Sequence, residues 1–252
     1  MTDGYRYVYG VVASGRRDWR LDAGVDGAPV RTIEVGPLAA LVSDLPAPEV
    51  RASRRALYSH LRVLESAFAA TPIVPLPFGT VIESDEAVRD QLLRRRETEL
   101  VELLSRIEGL SQFTLTARYD EERVLREIVA ADARLLQLRE QSRGAGEAAH
   151  AARLRLGELV ASSLQLVGEQ DAHSVVAAIG PVVEHVDVAD GRLDRILRAE
   201  VLVRRDKAAA FETTVAQLAD GAGGRILFEL VGPLPPTSFI ERLRVAEEPA
   251  WA

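Results

Sequence analysis

The segment Thr71-Pro72-Ile73-Val74-Pro75-Leu76-Pro77-Phe78-Gly79-Thr80-Val81-Ile82 limits how this chain can fold more than any other stretch. Three of its residues between 72 and 77 are prolines. Each fixes φ, lacks an amide donor and crowds the turn before it, so a helix is forbidden here. Prolines also leave gaps in a strand ladder, which confines the segment to the edge of a sheet. The remaining residues are mostly apolar and need a core to lie against. An extended, stiff strip of this kind calls for a sheet beside it.

The flanking patterns supply that sheet and its helices. Residues 5–13 are aromatic and β-branched and read as a strand. Residues 16–29, rich in Gly, Asp and Arg, read as a loop. Two apolar runs, 30–35 and 38–43, flank Gly36-Pro37 and read as a hairpin able to pair with the first strand. Leu57, Leu61, Leu64 and Phe68 recur at helical spacing and predict an amphipathic helix over 47–69, with Arg51, Arg54, Arg55 and Arg62 in solvent. After the proline segment, Ser84 is placed to cap a helix whose first turn holds Asp85 and Glu86, where acids suit the helix dipole. That helix is expected to reach 108 and stop at Gly109.

Farther on, Phe113, Leu115, Ala117 and Tyr119 alternate with Thr114, Thr116 and Arg118, the mark of a half-buried strand. Val124, Ile128, Ala131, Leu135 and Leu138 then repeat at steps of four and three. Beyond Gly144-Ala145-Gly146 a second series runs Ala149, Ala152, Leu156, Leu159, Ser163, Leu166. Heptad-like spacing on two arms predicts an antiparallel helical hairpin, with small residues on the second arm letting the helices approach. Asp171 is expected to cap a short helix ending near Gly180-Pro181. Strands over 182–188 and 197–204, a helix capped by Asp206 and ending at Gly221, and a strand over 225–231 follow. The order is βαββαβ, the ferredoxin-like plan with its first helix enlarged into the hairpin. The tail from Gly232 holds Pro233, Pro235, Pro236 and Pro249 and is expected to be extended. The fold class is therefore α+β in two domains. Residues 1–110 carry a small mixed sheet with helices. Residues 111–252 carry the ferredoxin-like part, the hairpin and the tail.

Chemistry finds few footholds. The chain has no cysteine, which excludes disulfides, thiolate metal sites and thiol nucleophiles. His60, His150, His173 and His185 offer no i, i+4 metal pair and no H-E-x-x-H. No G-x-S-x-G occurs. Asp120-Glu121-Glu122 precedes a helical series, where acids serve as cap and dipole partners. Gly221-Ala222-Gly223-Gly224 follows a helix and precedes a strand, the reverse of a phosphate loop. Arg94-Arg95-Arg96 sits among Glu97, Glu99 and Glu102 and reads as a solvated, salt-bridged face. Glu247-Glu248 in the tail read as solvated.

The formal net charge of −7 argues against nucleic acid. The longest apolar run, 175–183, is broken by Gly180-Pro181 and falls short of the roughly 20 residues a membrane span needs. The opening Met1-Thr2-Asp3-Gly4-Tyr5 lacks the features of a secretory leader. The expectation is a cytoplasmic protein with no catalytic, cofactor or metal site, which works by binding another protein.

Two stiff apolar strips are the candidates for that contact. One is Pro75-Leu76-Pro77-Phe78-Gly79-Thr80-Val81, with Leu76, Phe78, Gly79 and Thr80 as contact residues. The other is Gly232-Pro233-Leu234-Pro235-Pro236-Thr237-Ser238-Phe239-Ile240, with Leu234 and Phe239. Prolines order such a strip before binding, which lowers the entropy lost on association. The competing reading is that each strip packs across its own domain or clips the two domains together.

These segments, in this order, resemble the gas vesicle protein F/L family. Tyr7-Val8-Tyr9-Gly10-Val11-Val12 is similar to its opening strand, and Ile73-Val74-Pro75-Leu76-Pro77-Phe78-Gly79-Thr80-Val81 to its central motif. Ala199-Glu200-Val201-Leu202-Val203 and Gly232-Pro233-Leu234-Pro235-Pro236-Thr237-Ser238-Phe239 resemble its later strand and its tail. The pattern departs at Pro77, where members usually have arginine, and at Thr237, where they usually have an aromatic. The resemblance implies a two-domain accessory or minor shell-associated protein without enzymatic activity. It also implies a partner in the hydrophobic major shell protein, with other gas vesicle accessory proteins, and a place at the vesicle. The alternative is a small-molecule-binding or regulatory ferredoxin-like protein, which would need a pocket with converging polar groups.

Overall fold

The computed structural model of the chain describes residues 4–15, 21–189 and 195–245. Part of the expected loop over 16–29, and Glu247-Glu248 and Pro249 in the tail, lie outside them. The chain forms two compact units. One takes the residues up to Gln112 together with the segment from Pro233 on, and the other takes Phe113–Gly232.

In the first unit β1 (Tyr5–Ala13) is central, because β2 (Arg31–Val35) and β3 (Leu38–Leu45) form the expected hairpin on one side of it. The pairs β1–β3 and β2–β3 are antiparallel. On the other side run β4 (Val74–Pro75) and β5 (Val81–Ile82), both antiparallel to β1. The proline segment thus sits where its missing donors cost least.

One sheet face packs on α1 (Arg54–Phe68), which begins at its Ser53 cap rather than at 47. Pro46 and Pro48 precede it, and Ser53 accepts from the Ala56 amide at 3.1 Å. The other face packs on the stretch from Ser84 to Gly109. Ser84 caps as expected, accepting from Ala87. The helix is not continuous. A short α2 (Asp85–Ala87) passes into a π-helical turn, Val88–Arg94, before α3 (Glu97–Ile107) starts. The expected ion-paired face is present in part with the expected acids: Arg96 grips Glu99 through two bonds of 2.9 and 2.7 Å, while Arg94 pairs instead with Asp90 and Glu86. Arg6 is buried, and it shares Asp85 and Asp44 with Arg31. The two arginines, Arg31 foremost, hold the Asp85 carboxyl down at about 2.

The tail does not stay with the second unit, as the expected 111–252 domain had it. Gln112 donates to Ser238 Oγ at 3.1 Å and accepts from the Ser238 amide at 2.9 Å. Nor does the tail remain extended. After a 3-10 turn at Thr237–Phe239 it forms α8 (Ile240–Val245), and Arg106 of α3 donates to the Leu243 carbonyl.

The second unit holds a four-stranded sheet. Its elements are β6 (Leu110–Tyr119), β7 (His185–Ala189), β8 (Leu197–Arg204) and β9 (Ile226–Leu234), ordered β7-β8-β6-β9. Phe113, Leu115 and Ala117 meet Val175 and Ile179 of α6 (Glu147–Ile179) and Phe211 of α7 (Ala208–Gly221). The rings of Phe113 and Phe211 lie 5.2 Å apart.

The first arm of the hairpin is two helices, α4 (Glu121–Ala131) and α5 (Ala133–Ser142). They divide at Asp132, which leaves helical dihedrals and caps α5. The second arm absorbs the short helix expected after Asp171, so α6 extends for 33 residues, about 50 Å. Asp171 lies inside it and caps nothing. Its carboxylate accepts from Tyr119 and from Arg225, the latter at 2.7 Å. Arg225 also pairs with Glu127 at 3.0 Å and lies over the Tyr119 ring. Asp206 likewise makes no side-chain cap; it falls in a 3-10 turn before α7.

Candidate functional site

The strip over 71–82, here the strap, is held against β1 by alternating donors and acceptors. Pro75 sits opposite Gly10 and Val81 opposite Tyr7. The Leu76 amide donates to the Tyr9 carbonyl and the Val8 amide to the Thr80 carbonyl, each at 2.9 Å. Between those anchors the strap spends residues 76–80 where β1 spends only Val8 and Tyr9. The excess loops out as a turn, closed by the Thr80 amide and hydroxyl on the Pro77 carbonyl at 3.2 and 2.7 Å. Gly79 has φ of 88°, a left-handed conformation that a side chain resists.

The floor under this turn is aromatic. Tyr7 and Tyr9 point from one face of β1, with rings 4.8 Å apart. His60 of α1 stacks on Tyr9 at 5.7 Å, and Phe78 meets both His60 and Tyr7 edge-on at 5.7 and 6.2 Å. Tyr7 Oη accepts from the Gly79 amide at 3.1 Å and lies 2.9 Å from His60 Nδ1. A hydroxyl that accepts from Gly79 donates to Nδ1, which leaves the ring proton on Nε2. The ring's remaining bond goes to the backbone of Leu76.

His60 is 3% exposed, and burial pushes its pKa down to about 4 against the bond to Leu76. It is therefore neutral near pH 7 and ties the strap at Leu76 directly and at Gly79 through Tyr7. Burial pushes the Tyr7 hydroxyl up to about 12. Tyr9 Oη, also pushed up by burial, contacts Ser43 Oγ and accepts from the Val25 amide, each at 2.8 Å.

Close approach of the strap depends on Gly10. A Cβ there would lie 2.8 Å from the Val74 carbonyl oxygen and 2.9 Å from Ile73 side-chain carbons. Gly10→Ala is expected to cost about 1–3 kcal/mol in urea denaturation. It should also speed proteolysis within 71–82, since the strap is what must shift.

The structure brings Leu76, Phe78, Gly79 and Thr80 together in this one turn. Leu76 is buried, Phe78 and Thr80 are half-buried, and Pro77 and Gly79 are exposed. Leu234 is half-buried at the end of β9. Phe239 is fully buried, so in this conformation it packs and presents no surface. His60, Tyr7, Tyr9 and Ser43 were missed as a set. The expected helix stripe ran through Leu57 and Leu61, which are in fact exposed. The buried stripe is Ala56, His60, Val63, Leu64, Ala67 and Phe68, whose polar member hid the pattern.

Among the described residues no three His, Asp or Glu converge as a metal group. A cleft of about 500 Å³ opens in the second unit between α6 and β7, lined by Leu164, Ala172, Val188 and Ile196 among others. The Tyr119 hydroxyl beside it is committed to Asp171. No helix among the described residues is long and apolar enough to cross a membrane.

Residues 5–241 match the family model described as gas vesicle synthesis protein GvpL/GvpF. The chain is 35% identical over 240 residues to gas vesicle protein F of a Streptomyces species, which covers 93% of this chain and 99% of that one. It is 30% identical over 140 residues to gas vesicle protein F of Microcystis aeruginosa, covering 55% and 57%. The crystal structure of GvpF from Anabaena superposes with a TM-score of 0.76 at 22% identity, covering 94% of this chain and 96% of that one. That of GvpF from Microcystis aeruginosa gives 0.73 at 24%, covering 95% and 99%. At those identities the structural likeness speaks for the α+β fold.

Proposed function

Since the chain belongs to the GvpL/GvpF family of gas vesicle synthesis proteins, we propose that it supports vesicle formation by binding the hydrophobic major shell protein through the turn of the strap. The role in gas vesicles comes with the family. The binding mode rests on one observation: a short apolar turn is looped out from a sheet edge and fixed from beneath by a hydrogen bond from Gly79 to Tyr7, itself bonded to the buried His60. A shell subunit that is very hydrophobic needs its apolar surface covered until it is built in. A turn already held in place loses little entropy on meeting such a surface. Pro75 and Pro77 leave the outer edge of the strap without amide donors, so the contact is made by the turn and not by strand pairing. Phe78 and Thr80 then supply the side-chain contact, and Pro77 and Gly79 the exposed backbone. The remaining gas vesicle accessory proteins are further partners on this reading, which places the protein in the cytoplasm and at the vesicle.

The test is a pull-down of the major shell protein by the full chain and two variants. Pro77→Glu puts a charge on an exposed position whose carbonyl, not its side chain, holds the turn. Phe78→Ser removes the half-buried ring. Capture is expected to fall about tenfold or more for both, at unchanged circular dichroism for Pro77→Glu. Undiminished capture by folded Pro77→Glu would overturn this reading.

A further inference from the structure

The outer face of α1 carries a second surface that the strap does not explain. Leu57 is 43% exposed, Leu61 38% and Tyr58 66%. They lie at i, i+1 and i+4, so Leu57 and Leu61 form one ridge with Tyr58 beside it. Arg54 and Arg55 stand a turn before that ridge, and Arg51 just ahead of the helix. All three are exposed and have no hydrogen-bond or ion-pair partner among the described residues. Arg62 on the same helix is paired with Asp22 at 3.3 Å. Glu65 is the only acid in α1. In a chain with 38 acidic and 31 basic residues, a helix with three arginines and one acid is a local reversal of sign. Elsewhere among the described residues arginines are mostly neutralised by neighbours, as at Arg6, Arg31, Arg94, Arg96 and Arg225.

We infer that this face docks an acidic amphipathic helix of another protein. The partner's apolar stripe lies on Leu57, Tyr58 and Leu61, and its flanking carboxylates meet Arg51, Arg54 and Arg55. Helix-on-ridge docking with opposite charges at the rim fixes both contact and orientation. A lipid surface fits less well. The apolar ridge is short, and the rest of the chain is negative and repelled by anionic headgroups. The inference stands apart from the strap, because every residue it uses is on α1 or just before it.

The test uses the full chain and a labelled 18-residue helical peptide with a leucine stripe flanked by glutamates. A twin with lysines replaces the glutamates, and vesicles of anionic phospholipid form a third arm. Fluorescence anisotropy is expected to show the glutamate peptide binding at least about tenfold tighter than its lysine twin, and weakening as salt rises. Arg54→Glu with Arg55→Glu should reverse that preference, and Leu57→Ser with Leu61→Ser should abolish binding to both peptides. All four positions are exposed, so folding checked by circular dichroism should be unchanged. Equal binding of the two peptides, no binding of either, or binding to vesicles alone overturns the inference. Loss of shell-protein capture in Pro77→Glu with peptide binding intact separates this face from the strap.

Discussion

Phe239→Ala is expected to cost about 3–5 kcal/mol, a large part of the stability of a domain of this size. The ring is fully buried, and truncating it opens a cavity that the surrounding chain cannot close. The loss should appear as a lower urea midpoint and as early proteolysis after Gly232, because the ring is the largest buried side chain among the described residues of the tail. The bonds that hold the tail include the Gln112–Ser238 pair and the Arg106 contact to Leu243. A partner-facing Phe239 would behave in the opposite way, with weaker capture of the shell protein at unchanged midpoint. Measuring both quantities on one variant decides between the two roles.

Acid should weaken the first unit well above the pH at which its carboxylates protonate. The His60 ring has a pKa of about 4 in the fold against 6.5 when unperturbed. Between those values the unfolded chain holds a proton that the folded chain does not. Stability therefore rises with pH in that window and is lost as pH falls from about 6.5 to about 4. The slope is about 1.4 kcal/mol per pH unit, and the full loss is about 3 kcal/mol. Below about 4 the histidine adds nothing further.

Asp85 acts in a separate window. Its folded pKa of about 2 lies below the ordinary 3.8, so the stability it contributes is lost as pH falls from about 4 to about 2. Urea denaturation from pH 7 to 4.5 should show the histidine slope in the parent chain. His60→Gln, which can still accept from Tyr7 and donate to Leu76, should flatten it by about one proton. An unchanged slope would remove His60 as the cause.

Much of the scaffold is legible in the sequence because it follows from periodicity. The extent of β1 is read from its aromatic and β-branched residues, that of β8 from alternation, and the caps at Ser84 and Asp120 from capping chemistry. The strap's edge position follows from its prolines alone. Other features needed information that no local pattern holds. The face of α1 is ambiguous because Leu57, Leu61, Leu64 and Phe68 make as good a stripe as the one centred on His60. Only the tyrosines beneath, with donors for an imidazole, settle the choice. Asp171 looks like a cap, yet it belongs inside α6 because Tyr119 and Arg225 arrive from elsewhere in the chain to meet it. The π-helical turn at Val88–Arg94 leaves no mark in a pattern that reads as a continuous helix.

For the candidate strips the sequence located residues but not their conformation. Leu76 to Thr80 stand together on one turn, where the prolines implied only an extended strip, while Leu234 and Phe239 share their composition but not their setting. A proline-rich apolar stretch looks the same whether it is turned outward or used as packing. Exposure distinguishes them, and exposure depends on residues more than a hundred positions away, such as Gln112 under Ser238.

The return of the tail to the first unit also bears on how the protein is made. A ribosome releases the chain from its N-terminus, so the first unit must wait for its last piece. The whole of Phe113–Gly232 emerges before Phe239 and α8 do. During synthesis the second unit can fold while the first still lacks part of its interior. The first unit would thus leave apolar surface uncovered until Phe239 and α8 appear. Nascent chains halted before Pro233 should be the ones that chaperones hold.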